Sequence, residues 1–287
     1  MTGMRLRWFM VAIIIATLAV TAFLIQKQRG QEDRLSMRLD QVVRVGSETE
    51  LSCAEVAAGS PLVLLALGQS NAANHGSIDR RDTEPVTLVA EGRCITAVDP
   101  LPGGTGTGGS IWQRLPAALR ARSNRPVVIS ILGVDATSIE EWTRENSPLR
   151  QHLAERIVSI RGLGLLPDFV LWQQGEADAR DGTSTEEYSM RLNRLAAIID
   201  EAGAKAPVIL ARSTICRSLP YDAVRTAIEA KAAGDHRFRL GPDTDALSGE
   251  RFRRDGCHLT VDGLDSAARM WAESIGSEAF GHSLPRP

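Results

Sequence analysis

Five near-continuous apolar runs, separated by stretches long enough to be helices, constrain this chain more than any other feature. They are Pro61–Leu67, Pro126–Leu132, Asp168–Trp172, Pro207–Ala211 and the weaker Arg237–Leu240. A strand that reads apolar without alternation is covered on both faces, as in a parallel sheet. The intervening segments read as helices. Pro148–Arg161 carries Leu149, Leu153, Ile157 and Ile160 at helical spacing, and Glu186–Ala202 carries Tyr188, Leu192, Leu195, Ile198 and Ile199. Ile111–Arg122, Asp222–Ala233 and Asp262–Ile275 complete the set. The alternation predicts an α/β fold, a three-layer αβα sandwich around a central parallel sheet of about five strands. A length of 287 residues suits one large domain of this kind.

Charge removes one class of partner. The chain has 33 basic and 35 acidic residues, a net charge of −2, so no positive excess is present to hold a nucleic acid. An aromatic content of 5% gives no stacking platform either.

The N-terminus reads separately. Trp8–Ile25 is an apolar run with no charge, between Arg5 and Arg7 on one side and Lys27 and Arg29 on the other. As a helix it spans about 27 Å, close to a bilayer core. Residues 1–30 are therefore expected to be a signal anchor, with a transmembrane helix over about 8–25 and the membrane as a partner. Val20-Thr21-Ala22 resembles a cleavage site, but the run continues through Phe23, Leu24 and Ile25, which favours retention. Residues 31–50, polar with isolated Leu35, Met37, Leu39, Val42 and Val43, read as a tether, and 51–287 as the folded domain. The flanking charges leave the orientation open.

The cysteines are Cys53, Cys94, Cys216 and Cys257, and none forms a C-x-x-C pair. An even count behind an apolar leader suits two disulfides in an oxidising, extracytoplasmic compartment. Of the three pairings, Cys53–Cys94 and Cys216–Cys257 each bracket neighbouring strand ends; four buried thiols are the alternative.

Ligands of such sheets gather outside the carboxyl ends of the strands. Those positions hold Gly68-Gln69-Ser70-Asn71, then Gly133 to Trp142, then Gln173-Gln174-Gly175-Glu176-Ala177-Asp178, then Arg212-Ser213-Thr214, with Asp255-Gly256-Cys257-His258 late in the chain. A serine hydroxyl needs a base, an imidazole is the usual one, and a carboxylate fixes its tautomer. Ser70, His258 and Asp255 supply these three groups. Gly104-x-Gly106-x-x-Gly109 matches a dinucleotide fingerprint in letters, but no strand precedes it, so no cofactor is expected. Glu140 and Glu141 read as a solvated helix start. His75, His152, His236 and His282 show no evident partner and read as surface residues.

Five blocks together resemble a known family. Gly68-Gln69-Ser70-Asn71, Gly108-Gly109-Ser110-Ile111-Trp112, Thr137-Ser138-Ile139-Glu140-Glu141-Trp142, Trp172-Gln173-Gln174-Gly175-Glu176-Ala177-Asp178 and Asp255-Gly256-Cys257-His258 are similar, in order, to the blocks of SGNH-type hydrolases. The branch is the sialate O-acetylesterase-like one, related to carbohydrate esterase family six. The resemblance implies a flavodoxin-like sandwich that removes O-acetyl groups from carbohydrates through an acyl-enzyme, without metal or cofactor. It implies Ser70 as nucleophile, His258 as base and then acid, and Asp255 as its orienter. It also implies an oxyanion site at the Ser70 N–H, a Gly108 or Gly109 N–H and the Gln174 side chain, with Gln69, Asn71 and Glu176 beside the substrate. Two positions depart from the pattern: Asp135-Ala136 stand where the family has Gly-Gly, and Gln173 where it has His. An acetyl transferase acting on a polysaccharide would use the same three residues. A catalytically idle carbohydrate-binding module is the third reading, and the intact Ser70, Asp255 and His258 speak against it.

Overall fold

The structure is a computed structural model, which describes residues 2–79 and 84–279. In chain order, helix α1 covers Thr2–Leu39, strand β1 Thr49–Leu51, α2 Cys53–Ala58 and β2 Leu62–Gly68. A hairpin follows, β3 Val86–Ala90 and β4 Arg93–Ala97, and then α3 Ile111–Leu119 and β5 Val127–Gly133. Next come α4 Ile139–Thr143, α5 Pro148–Gly162, β6 Phe169–Gln173, α6 Glu176–Asp181 and α7 Thr185–Glu201. The chain continues as β7 Val208–Arg212, α8 Asp222–Gly234, β8 Phe238–Asp243 and α9 Val261–Ala279.

The described strands form one sheet of eight, ordered β1-β4-β3-β5-β2-β6-β7-β8. The six from β3 to β8 in that order run parallel, and β4 runs antiparallel to both β3 and β1. The sheet is thus wider than the expected five strands, and mixed. The added hairpin turns at Glu91-Gly92, both at positive φ (50° and 74°), which is the twist a two-residue hairpin needs.

All seven residues of β2 are buried, as a central strand covered twice requires. Val63, Leu65 and Leu67 face the core built with α5, α7 and α8, and Leu62, Leu64 and Ala66 the core built with α3 and α9. β2 sits between β5 and β6, so the strand order reverses there and a crevice opens at its carboxyl end. Ser70 lies in that crevice.

The N-terminus departs from the expectation. Residues 2–39 are one helix, and among the described residues no helix is long and apolar enough to cross a membrane. The expected transmembrane helix over 8–25 is therefore overturned, and nothing in the structure supports the membrane as a partner. The apolar run is only part of a longer helix that continues through Arg29, Glu32, Asp33, Arg34 and Arg38. That helix ends against the domain. Leu35 is 0% and Leu39 7% exposed, both in the core beside α5. The segment expected to be a tether is helical over its first nine residues, of which Leu35 and Leu39 are buried.

Candidate active site

Ser70 opens a short 3₁₀ turn, Ser70–Ala72, directly after β2 and is nearly buried. The chain enters this turn through Gly68, at φ 146°, where a Cβ would stand 2.0 Å from the Gln173 carbonyl oxygen of β6. Only glycine fits such an approach. The first N–H groups of a helical turn lack partners within the turn, and among the described residues the Ser70 N–H has no backbone partner.

The Asp255–His258 pair is formed. The His258 ring Nδ1 lies 2.8 Å from Asp255 Oδ2, while the backbone N–H groups of His258 and Cys257 donate to Asp255 Oδ1 at 2.7 and 3.0 Å. Burial works to raise the Asp255 pKa, but the three donors outweigh it and hold the carboxyl well below the usual range. With Nδ1 committed to the carboxylate, Nε2 is the nitrogen free to take a proton.

Two side chains dock the loop carrying this pair. The buried Arg253 guanidinium donates to the carbonyls of Leu247, Thr244, Ile215 and Cys257, at 2.7, 2.8, 3.3 and 2.5 Å. Asn71, next to Ser70, donates from Nδ2 to the Cys257 carbonyl at 3.3 Å. The residue after Ser70 thus touches the residue before His258. Among the described residues no hydrogen bond joins Ser70 Oγ to the His258 ring; triads without substrate are commonly loose at this step and tighten when it binds.

Beneath Ser70 lies a buried polar network. Gln69 Oε1 accepts from Gln174 Nε2 at 3.2 Å and from the Ala177 N–H at 3.0 Å. Gln174 Nε2 also donates to the Thr137 carbonyl at 2.9 Å and Asp178 Oδ2 at 2.5 Å, and its Oε1 accepts from the Tyr188 hydroxyl at 2.9 Å. Glu176 Oε1 accepts from Asn71 Nδ2 at 2.6 Å and Ser213 Oγ at 2.8 Å, while its Oε2 is buried without a partner. Burial pushes the Glu176 pKa up to about 7 against those hydrogen bonds. Gln173, which stands in the histidine position of the family pattern, donates to Ser213 Oγ and Thr244 Oγ1 and accepts from Trp271 Nε1 at 3.1 Å.

These contacts revise several expected roles. The Gln174 amide has two hydrogens and three acceptors already in reach, and it braces Gln69 and the 137–139 turn. The Gly108 N–H donates to the Asn74 carbonyl at 2.7 Å and the Gly109 N–H to the Gly76 carbonyl at 2.9 Å. Both glycine donors are used in pairing the 74–76 segment, and a Cβ would stand 2.2 Å from the Gly76 carbonyl oxygen at Gly108 and 2.4 Å from that of Ser77 at Gly109. Gln69 bonds to Gln174 and the Ala177 N–H, and Asn71 to Glu176. Ser70 N–H is what remains of the expected oxyanion donors.

His75 also departs from expectation. Rather than lying apart on the surface, its ring stacks on that of His258, with centroids 5.4 Å apart and planes at 25°. Adjacency in space between distant loops left no trace in spacing. His152 and His236 are exposed, and His282 lies outside the described residues. Both expected disulfides are present, Cys53–Cys94 and Cys216–Cys257, with Cα atoms 5.3 and 4.0 Å apart. Among the described residues no group of His, Cys, Asp and Glu is arranged to hold a metal ion.

This fold and site define a class, the SGNH-type esterases, in which a serine follows the central strand and an Asp-x-x-His pair returns late in the chain. Residues 61–276 match the family model described as carbohydrate esterase, sialic acid-specific acetylesterase. The chain belongs to that family and is a carboxylic ester hydrolase. Solved structures share the fold. A protein from Arabidopsis thaliana superposes with a TM-score of 0.63 at 20% identity, covering 76% of this chain and 98% of that one. A carbohydrate acetylesterase from Xanthomonas citri gives 0.52 at 15% identity, covering 77% of this chain and 57% of its own. Another, from Sinorhizobium meliloti, gives 0.50 at 14%, covering 75% and 99%. No curated protein matches the chain closely enough to count as a relative.

Proposed function

We propose that the chain is a serine esterase that removes O-acetyl groups from carbohydrates through a Ser70–His258–Asp255 triad. One observation carries the reading: the Asp255–His258 pair at 2.8 Å is docked beside the Ser70 turn through Asn71 and the Cys257 carbonyl. Ser70 Oγ attacks the acetyl carbonyl carbon as its proton passes to His258 Nε2. The resulting oxyanion meets the Ser70 N–H, a type of donor typically worth about 3 kcal/mol in the transition state. Collapse expels the sugar oxygen, which takes the proton from His258 and leaves Ser70 acetylated. Water, deprotonated by His258, then releases acetate and restores the serine. Asp255 stays ionised throughout and stabilises the imidazolium.

The substrate reading, an O-acetylated sugar of the sialate kind, rests on the family. Two disulfides support work in an oxidising compartment outside the cytoplasm. Ser70→Ala tests the mechanism, because it removes one hydroxyl and leaves the turn intact. Acetate release from an O-acetylated sugar is expected to fall at least about a thousandfold with the melting temperature unchanged. Retention of more than about a tenth of the rate overturns the assignment.

A further inference from the structure

The segment just after the nucleophile turn runs alongside the loop that bears the base. The Ser77 N–H donates to the Leu259 carbonyl at 2.9 Å, and Arg254 Nη2 donates to the His75 carbonyl at 2.9 Å. Between these two links the His75 and His258 rings lie face to face. On its far side His75 Nε2 is 3.1 Å from Thr105 Oγ1, and that hydroxyl accepts from the Asp135 N–H at 3.0 Å. His75 is therefore anchored from Thr105 and, through it, the loop after β5, with its ring stacked on that of His258.

The need for such a contact follows from the site. Asp255 holds His258 by Nδ1 alone, and a ring held at one edge swings unless a surface lies against its face. We propose that His75 is a positioning residue of the esterase, a ring platform that fixes the plane of the His258 imidazole so that Nε2 meets Ser70. The proposal rests on the triad reading above. It requires His75 to stay uncharged while His258 carries the proton, since two stacked imidazolium rings repel. The charged groups facing His75 are Asp135, Asp255, Arg254 and His258 itself. Burial, opposed by Asp135 and Asp255 and aided by His258 and Arg254, leaves its pKa below the usual imidazole value, in keeping with that role.

The test uses the full chain with 4-nitrophenyl acetate and an O-acetylated sugar. His75→Ala removes the platform, His75→Phe keeps a ring without a titrating group, and Ser70→Ala serves as the control for the triad. For His75→Ala, kcat is expected to fall about tenfold or more with KM changed less than about twofold, because misalignment by about 1 Å can cost a hundredfold. His75→Phe is expected to recover most of the loss, and its kcat to fall less steeply with acid than that of the wild type, having one imidazole fewer to charge. Equal kcat in His75→Ala and wild type overturns the proposal. So does a rise in KM at constant kcat, or a His75→Phe variant as slow as His75→Ala. If His75→Ala does not fold, His75→Gln replaces it as the variant that keeps a polar group toward Thr105 without a ring, read by the same criteria. An active Ser70→Ala instead removes the triad reading itself, which separates the two failures.

Discussion

Asp255 and Glu176 are carboxylates of one site pushed in opposite directions by their surroundings. Asp255 is half-exposed and receives three hydrogen bonds, so its ionised form is favoured; Glu176 is buried, receives two on one oxygen and leaves the other bare. The signs of their contributions to stability differ accordingly. Asp255, with a lowered pKa, adds stability that is present above the unfolded carboxylate pKa and lost as pH falls through its folded value. Glu176, raised to about 7, adds stability that is present below its unfolded pKa and lost as pH rises through about 7. Glu176→Gln should therefore flatten the decline in melting temperature between about pH 5 and 8, a window worth on the order of 3 kcal/mol in the wild type. Parallel melts of the two proteins check this, and an unchanged slope refutes it. Asp255→Asn should leave the fold intact but present the wrong tautomer at His258, costing up to about ten-thousandfold in kcat. Steady-state kinetics at neutral pH measure the loss; a drop of less than about tenfold counts against Asp255 as the orienter.

The last turns of α1 bear directly on the site, although they lie outside the strand–helix alternation. Arg38 donates to the Asp135 carbonyl at 3.0 Å and pairs with Glu141, so it grips the loop that enters α4. That loop holds Ala136 at φ 54°, a left-handed residue where the family pattern has glycine, and such strain persists only when neighbours hold it. Leu35 and Leu39 seal the contact. Leu35→Ala should cost about 2–5 kcal/mol in denaturant unfolding, as for other fully buried leucines. A chain starting at residue 45 should melt lower and turn over more slowly than one starting at residue 30. Equal melting points of the two chains would show that this helix end contributes nothing. The elements legible in the sequence were those with one strong signal. β2, β5, β6 and β7 are apolar because they are covered twice, and α5 and α7 are striped because they are covered once. β1 is a three-residue edge strand, β3 and β4 carry Thr87, Arg93 and Thr96 among their apolar residues, and α4 and α6 are single turns or little more, too brief for any period to emerge. Leu35 and Leu39 were visible as isolated apolar residues, but two leucines in a charged stretch do not reveal what they pack against.

At the scale of the whole molecule, nearly every site residue lies at one sheet edge, and the chain must return from distant points to build it. The Asp255–His258 pair and the Ser70 turn were readable because each sits in a short motif with chemical meaning. What Gly108, Gly109 and Gln174 donate to was not legible, because hydrogen-bond partners are a property of the assembled fold: those donors meet Asn74, Gly76 and the Thr137 turn. His75 was missed for the same reason. The disulfides show how global and local constraint are separated here. Each closes a loop of the same sequence separation, 41 residues, so in the chain-entropy view each contributes about 4 kcal/mol to stability. Their positions differ. Cys53–Cys94 ties α2 to β4, near the far edge of the sheet, whereas Cys216–Cys257 joins the segment after β7 to the residue immediately before His258. Replacing both cysteines of either pair by serine should therefore lower the melting temperature by similar amounts. Only the Cys216→Ser, Cys257→Ser protein should also lose kcat, by about tenfold or more, since the loop bearing Asp255 and His258 is then held by hydrogen bonds without a covalent tie. Melting curves and acetate release on the two double variants decide the matter: equal activity in both would mean that the hydrogen bonds to this loop suffice to keep the imidazole in place.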